Sequence, residues 1–266
     1  MRYGFIGLGN MASAIIMGMS ASGKFVEDKI YGYNRSPEKT EKLKDSIGLI
    51  PCKSSVEVVE NSEVIVLAVK PQMMDGVLEE INSSIRDDQL VISIAAGLAT
   101  EWYEKKIEKN VPVVRVMPNI NAKVKAAVVG ICGGKNATEE SVAVAKSIFE
   151  TVGTTYEITE NMFSAFSAIG GASGAFVYLY IDALAEAGVK AGFSRKFAQD
   201  LATNTVLGSA KLVNESDSHP IELVNNVCSP AGTTIEGILT LKRLGFETAV
   251  QQALEAVIEK DRKLGK

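Results

Sequence analysis

The chain has 266 residues, a formal net charge of −4 and 46% hydrophobic residues, a composition that is ordinary for a globular protein. Its length suits one large domain or two. The chain has no excess of basic residues, which nucleic-acid-binding proteins usually show, so we expect no nucleic acid as a partner. The 3 cysteines are an odd number without a C-x-x-C pair, which argues against a disulfide framework or a metal site and favours a reducing compartment.

Two stretches bear on where the protein resides. The first residues form a strand pattern at once and show no signal-peptide pattern, which predicts a cytoplasmic protein. Residues 161–181 carry no charged side chain, and a helix of that length is long enough to span a bilayer. Serines and glycines dilute its hydrophobicity and no lysine or arginine cluster flanks it. We therefore predict a helix buried on all sides in a soluble protein, and no membrane partner.

The motif that organises the chain lies near the N-terminus, directly after a short apolar run. It has the G-x-G-x-x-A form of the dinucleotide-binding fingerprint. Gly7 permits the tight turn, Gly9 lets the backbone approach a pyrophosphate, and Ala12 lets the following helix pack near the strand. The N–H groups at the start of that helix, with Asn10 and Met11, are expected to face the phosphates. The alternative is a glycine turn that serves the backbone alone.

Strand-like and helix-like segments alternate over residues 1–159, which predicts a doubly wound, Rossmann-like α/β domain for the dinucleotide. After the first strand, strands are predicted at residues 29–33, 64–69, 90–94, 111–116, 126–131 and 154–158. From residue 160 the apolar residues recur at helical spacing, so residues 160–266 are predicted to form an all-helical domain for substrate binding and dimerisation. Few helices are available to cover the uncharged one, which predicts an intertwined dimer. The alternative is that this helix packs against the first domain of its own chain.

The end of the second strand indicates which dinucleotide binds. An acidic residue at this place would accept hydrogen bonds from the ribose 2′-hydroxyl of NAD. This chain has Asn34, Arg35 and Ser36 instead, and a guanidinium with a hydroxyl suits a 2′-phosphate. We therefore predict NADPH as the cofactor, with NADH as the alternative. In a competing interpretation, Ser36 caps the next helix and Arg35 is solvated.

Further cofactor contacts are predicted after neighbouring strands, because ligands bind at the carboxyl edge of such sheets. They are Ala68, Val69, Lys70 and Pro71 after one strand, and Ala95 and Gly97 after the next. A solvated lysine at a strand end and a simple turn of small residues are the alternatives. Asn119, after a further strand, is predicted to donate its side-chain amide into the substrate cleft, or else to stabilise the turn after Pro118.

The densest polar cluster of the helical half lies at residues 229–234. Gly232 before two threonines at the start of a helix offers backbone N–H groups and hydroxyls to an anion. The expected anion is a carboxylate. N-capping by Ser229 or Thr233 explains the same residues equally well. His219 is the single histidine, and its place before proline in a polar loop predicts a turn element rather than a base.

Together these motifs resemble those of the pyrroline-5-carboxylate reductase family, nearly from end to end. The resemblance rests on GLGNMA at residues 7–12, AVKPQ at 68–72, MPN at 117–119, EAGV at 186–189 with Gly192, and SPAGTT at 229–234. The last of these motifs is the most specific.

This resemblance implies hydride transfer from NADPH or NADH to the C=N carbon of Δ1-pyrroline-5-carboxylate, which forms L-proline. It implies that residues 229–234 hold the substrate carboxylate through backbone N–H groups and hydroxyls, with Thr234 beside the ring nitrogen as the catalytic residue. It also implies a homodimer of interlocked helical domains, often assembled further. The lack of a strong base fits this chemistry, because a protonated imine is already an electrophile and needs orientation above all.

The chain also departs from the family pattern near the expected pocket. Ile120 and Asn121 stand where the family has Thr-Pro, residues 171–176 read GASGAF instead of GSGPAY, and Ala231 stands where glycine is common. A reductase of another cyclic imine acid is therefore an alternative.

Two other protein classes are weighed against this assignment. A reductase of the β-hydroxyacid dehydrogenase kind carries a catalytic lysine early in its helical domain, whereas no lysine occurs here between Lys146 and Lys190. A non-catalytic NADP(H)-binding paralogue would keep the glycines of the fingerprint but would not need Thr234. Both comparisons favour the enzyme.

Overall fold

The computed structural model describes residues 1–264 and divides them into two compact units, which are described separately. The first unit consists chiefly of Met1–Gly171, and the second of Ala172–Glu259. The boundary expected from the sequence, after residue 159, stays a prediction. Gly265 and Lys266, at the end of the expected second domain, lie outside the described residues.

The first unit is built on an eight-stranded sheet with the order β3-β2-β1-β4-β5-β6-β7-β8. The strands are β1 Arg2–Ile6, β2 Lys29–Tyr33, β3 Ile50–Pro51, β4 Val64–Leu67, β5 Leu90–Ser93, β6 Val113–Met117, β7 Ala127–Gly133 and β8 Gly153–Glu157. All neighbours pair in parallel except β6 and β7, which are antiparallel. The 3₁₀ turn Ile120–Val124 reverses the chain between these two strands.

Helices cover both faces of this sheet. They are α1 Asn10–Ala21, α2 Pro37–Ile47, α3 Ser55–Asn61, α4 Met74–Ile81, α5 Thr100–Lys106, α6 Glu139–Phe149 and the short α7 Phe163–Phe166. In β4, Val64 and Val66 enter one core while Ile65 and Leu67 enter the other. Because a strand alternates its side chains between two faces, a strand covered on both sides reads as a continuous apolar run. The predicted doubly wound α/β domain is confirmed.

All the regular elements of the second unit, over residues 172–259, are helices. Its helices are α8 Ser173–Lys190, α9 Arg195–Glu215, α10 Pro220–Val227, α11 Thr233–Arg243 and the greater part of α12 Phe246–Leu264. Its buried core is small and consists of Ala185, Ala198 and Ala202, where α8 meets α9. Alanine at these positions lets the two helices approach closely, but three small side chains bury little apolar surface.

The expectation that the uncharged helix is buried on all sides is wrong for the single chain. Leu179 on α8 is 71% exposed and Tyr178 is 57% exposed. The stretch Glu160–Lys190 is long and apolar enough to cross a membrane by length and composition, and 11% of its most apolar window is buried within the chain. The few helices of this unit offer too little surface to cover α8, so most of this helix is exposed in the single chain.

Candidate active site

The fingerprint turn connects β1 to α1, and its geometry shows why Gly7 and Gly9 are glycines. Gly7 has φ +91°, and a Cβ built on it would lie 2.9 Å from the carbonyl oxygen of Ala68. Its N–H donates to the carbonyl of Tyr33 at 2.9 Å, which ties the turn to the end of β2. A Cβ on Gly9 would meet nothing within 4 Å, so the space beside this residue is open. Gly7 is therefore required by the fold, whereas Gly9 leaves room for a ligand.

The start of α1 presents unpartnered donors at this open space. Its N-cap is Gly9 in an extended conformation, with no side-chain capping bond. Ala12 is buried and packs in the core, so the helix approaches the sheet closely. The first N–H groups of a helix lack partners within it and carry its positive dipole end. The local structure is thus that of an anion site, with Asn10 exposed and Met11 half-buried beside it.

Asn34 holds the end of β2 against the fingerprint turn. Its Oδ1 accepts from the N–H of Leu8 at 3.0 Å, and its Nδ2 donates to the carbonyl of Ser36 at 3.0 Å. Ser36 occupies the N-cap position of α2, but its side chain makes no capping bond. The competing interpretation of Ser36 as a helix cap therefore does not describe this structure. Arg35 and Ser36 are both exposed.

The residues after β4 and β5 lie at the same edge, because these strands run parallel to β1. Lys70 is exposed in an extended conformation before the 3₁₀ turn Pro71–Met73. Ala95 is buried, and its N–H donates to Ser93 Oγ at 3.2 Å. The same hydroxyl lies 2.6 Å from the Tyr103 hydroxyl, and burial raises the pKa of Tyr103 to about 12. Tyr103 is therefore a fixed neutral support of this edge.

A cluster of lysines beside α1 was not predicted from the sequence. A cavity of about 590 Å³ is lined by Asn10, Ser13, Met17, Ser46 and neighbouring residues, together with Lys39, Lys42, Lys123 and Lys125. Among the described residues these four lysines form no salt bridge. The available signal was the spacing of Lys39 and Lys42 on one face of α2, beside a first helix without charge. The excess positive charge near Asn10 suits a phosphate-bearing ligand.

Asn119 does not extend into an open cleft. Its Nδ2 donates to the carbonyl of Gly170 at 2.6 Å, and its Oδ1 accepts from the N–H groups of Asn121 at 3.2 Å and Val128 at 3.3 Å. The expected amide donor to the substrate is thus bonded within the protein. The alternative of turn stabilisation describes this side chain, with one further contact to Gly170 that the sequence pattern does not contain.

A second polar network was missed because its members are distant in sequence. Arg115, buried in β6, donates to Glu160 and lies with its guanidinium 3.8 Å from the ring centroid of Phe163. Glu160 also accepts from the N–H of Thr100 at 3.3 Å and from its hydroxyl at 3.1 Å. Burial, with the charge of Glu160 adding to it, raises the pKa of the neighbouring Cys132 thiol. The signal in the sequence was a lone charged residue inside an apolar strand.

The bend at residues 229–234 lies in the second unit. Ala231 has φ +57°, in the left-handed region that favours glycine. A Cβ on Gly232 would lie 2.3 Å from Ser229 Oγ, so any larger residue would have to displace this hydroxyl. The Gly232 N–H donates to the Ser229 carbonyl at 3.0 Å and closes the bend.

Helix α11 starts from this bend without a side-chain cap. Its N-cap is Gly232, and neither Ser229 nor Thr233 makes a capping bond. Thr233 and Thr234 are both exposed. The capping alternative therefore fails in this structure, and the first N–H groups of an 11-residue helix stay open to an anion.

His219 is a turn element, as predicted. It is the N-cap of α10, and its Nδ1 accepts from the N–H of Ile221 at 3.2 Å. No group of three or more metal-ligating side chains converges anywhere in residues 1–264.

The first unit thus brings the fingerprint, the end of β2 and the ends of β4, β5 and β6 to one sheet edge. The bend at residues 229–234 belongs to the second unit and presents a second set of uncapped helix N–H groups.

Two family models match the chain. A model described as pyrroline-5-carboxylate reductase dimerisation matches residues 160–264. A model described as NADP oxidoreductase, coenzyme F420-dependent, matches residues 2–97. The first match covers the helical part of the chain, and the second covers the N-terminal part that contains the fingerprint.

Relatives match over the whole length. The pyrroline-5-carboxylate reductase of Escherichia coli K12 is 39% identical over 265 residues, which cover 100% of this chain and 98% of the relative. The structure of a pyrroline-5-carboxylate reductase from Coxiella burnetii aligns with a TM-score of 0.93 at 31% identity, covering 99% of this chain and 98% of the other. That of the Plasmodium falciparum enzyme with NADP bound aligns with a TM-score of 0.86 at 32% identity, covering 100% and 98%.

Proposed function

The chain belongs to the pyrroline-5-carboxylate reductase family, and we propose that its two units divide the work of that reaction. It is an oxidoreductase that uses NADPH to reduce the C=N bond of Δ1-pyrroline-5-carboxylate to L-proline, the last step of proline synthesis. The observation that carries this conclusion is similarity over the entire chain. Similarity confined to the cofactor-binding half would fit many reductases.

The cofactor is assigned to residues 1–159, which lie within the first unit. The open space beside Gly9 and the unpartnered N–H groups of α1 suit the pyrophosphate. Arg35 and Ser36 are assigned to the 2′-phosphate, and Lys39 supplies further positive charge nearby. Residues 68–71, with Ala95 and Gly97, border the place of the nicotinamide. NADPH supplies the hydride when bound, and NADH is the alternative donor.

The substrate carboxylate is assigned to the bend at residues 229–234 and to the start of α11, in the second unit. The uncapped N–H groups and the hydroxyls of Ser229, Thr233 and Thr234 offer hydrogen bonds to an anion. Thr234 is assigned, by its match to the family motif, to the ring nitrogen of the imine. A protonated imine needs no strong acid, and orientation of a bound electrophile can lower the barrier by roughly 7–11 kcal/mol in favourable cases.

The active form is proposed to be a homodimer or a larger assembly of dimers. A family model for dimerisation matches residues 160–264, and the apolar side chains of α8 and α9 are exposed in the single chain. Exposed patches of this kind mark protein–protein contacts. Residues 160–266 are thus proposed as the dimerisation and substrate domain of a cytoplasmic enzyme without nucleic-acid or membrane partners.

The test is an assay of NADPH oxidation with Δ1-pyrroline-5-carboxylate, with a six-membered cyclic imine acid as the comparison substrate. We expect turnover with the five-membered ring and formation of L-proline. Turnover confined to the six-membered ring would shift the assignment to another imine acid, as the departures at Ile120, Asn121 and Ala231 allow. Binding of NADPH without turnover of either imine would favour the non-catalytic alternative.

A further inference from the structure

The chain enters the second unit through an unusual turn. Residues Ser167–Ala172 form a π-helical turn between α7 and α8. Such turns widen the helix by one residue, are costly compared with regular α-helix, and occur frequently at functional sites. A π turn also displaces carbonyl groups from their regular partners, so it needs support from outside the helix.

Asn119 supplies such support, and its orientation is unambiguous. Two backbone N–H groups, of Asn121 and Val128, point at one end of the carboxamide, and the Gly170 carbonyl lies at the other. A flipped amide would place its NH₂ group against two donors and its oxygen against a carbonyl. The oxygen therefore faces the strand turn, and the nitrogen must face the π turn. Three hydrogen bonds fix this side chain in place.

The π turn lies at the ligand edge of the first unit. Asn119 follows β6, whose end is Met117, and β6 runs parallel to β5. Gly171 is exposed, and a Cβ built on it would lie 3.7 Å from Met117 Cε, which is ordinary van der Waals contact. The glycine thus stands directly beside the end of β6 and leaves the volume of a side chain empty there.

We propose that Asn119 is a positioning residue that holds the π turn at the sheet edge, and that Gly171 within this turn keeps that edge open for the reacting rings. The juxtaposition that carries this is the Asn119–Gly170 hydrogen bond beside an exposed glycine at the end of β6. The inference rests on the proposed function, since the edge in question is the one assigned to the nicotinamide.

The first variant is Asn119→Asp. It keeps the shape and both bonds to Asn121 and Val128, but it turns the donor that faces Gly170 into an acceptor. Because two acceptors then oppose each other, we expect kcat to fall about 10- to 100-fold. The Kd for NADPH, measured by quenching of protein fluorescence, should stay within about twofold, because the fingerprint and the ends of β2 are untouched.

The second variant is Gly171→Ala, which the fold accommodates without a clash. We expect a higher KM for the imine or a lower kcat, by about 10-fold, at an unchanged Tm. The matched control is Gly76→Ala on α4, an exposed helical glycine on which a Cβ would meet nothing within 4 Å. This control should keep wild-type kinetics.

The outcomes separate the inference from the proposed function. If the wild-type enzyme turns over no cyclic imine, the proposed function fails before any variant is measured. If the wild type is active and Gly171→Ala keeps its kcat and KM, the inference is overturned. The inference is also overturned if Asn119→Asp loses NADPH affinity and Tm in parallel with kcat, since that pattern reports general damage. If Asn119→Asp fails to fold, the kcat and KM of Gly171→Ala still test the inference.

Discussion

The two units of this protein differ in how they obtain their cores. The first buries both faces of an eight-stranded sheet beneath its own helices. The second buries Ala185, Ala198 and Ala202 between α8 and α9 and leaves Leu179, Leu201 and Leu207 exposed. A domain that covers its own apolar surface is stable by itself, whereas one that does not is completed by association. We therefore expect the first unit, proposed to bind the cofactor, to be stable by itself, and the second unit, proposed to bind the substrate, to need a partner.

The largest effect is expected at the exposed face of α8. Leu179→Asp places a charge on a side chain that is 71% exposed in the single chain but is proposed to be buried between two subunits. Burying an unpaired charge costs several kcal/mol, so the variant should become monomeric and inactive. Size-exclusion chromatography with light scattering measures this.

The matched control for that variant lies in the first unit. Val26 is 79% exposed, and Val26→Asp should leave the oligomeric state and activity unchanged. If both substitutions are silent, the exposed face of α8 is ordinary surface and the contrast between the units disappears.

The next largest effect is expected at the start of α11, where the substrate is proposed to bind. Thr234→Ala should lower kcat about 100-fold, since one hydrogen-bond donor beside the reacting atoms is lost, and should leave NADPH affinity intact. Thr240→Ala, an exposed threonine on the same helix, serves as the control. Unaltered steady-state kinetics of Thr234→Ala would remove the catalytic role from that hydroxyl.

Two glycine variants in the first unit test the proposed pyrophosphate site beside Gly9. Gly9→Ala meets open space and an ordinary φ, so its Tm should be unchanged, while its NADPH affinity falls by roughly 30-fold, or about 2 kcal/mol. Gly7→Ala must adopt φ +91° against the Ala68 carbonyl, so it should lose both Tm and affinity. Isothermal titration and thermal melts separate the two. Wild-type affinity in Gly9→Ala would show that no pyrophosphate lies beside it.

The smallest effect is expected for cofactor selection. Arg35→Ala should weaken NADPH about 10-fold, the loss of one charge-assisted bidentate contact, and leave NADH within about twofold. Lys44→Ala is the control, because Lys44 is exposed on α2 and paired with Glu41. Equal losses of NADPH and NADH in Arg35→Ala would contradict the assignment of the 2′-phosphate.

The elements that could be predicted from the sequence are those whose cause is local. The fingerprint turn depends on two glycines in one loop, and β4 and β5 read as apolar runs because each is covered on both faces. The antiparallel pairing of β6 with β7 and the two-residue strand β3 depend on where the chain returns, which periodicity does not record.

The remaining features depend on partners that are far apart in the chain. Asn119 bonds Gly170, and Arg115 bonds Glu160, across 51 and 45 positions. No local pattern contains such a contact, so the sequence left Asn119 open between a ligand donor and a turn residue, and placed Arg115 only within a predicted strand. The exposure of α8 in the single chain could not be predicted either, because the apolar pattern of a helix predicts that it is covered but not by which chain.

The most direct test of the whole account is a crystal structure of the protein with NADP⁺ and L-proline bound. The account predicts the pyrophosphate at the start of α1 beside Gly9, and the proline carboxylate within hydrogen-bond distance of the N–H groups of Thr233 and Thr234. A carboxylate bound away from the bend at residues 229–234 would contradict it.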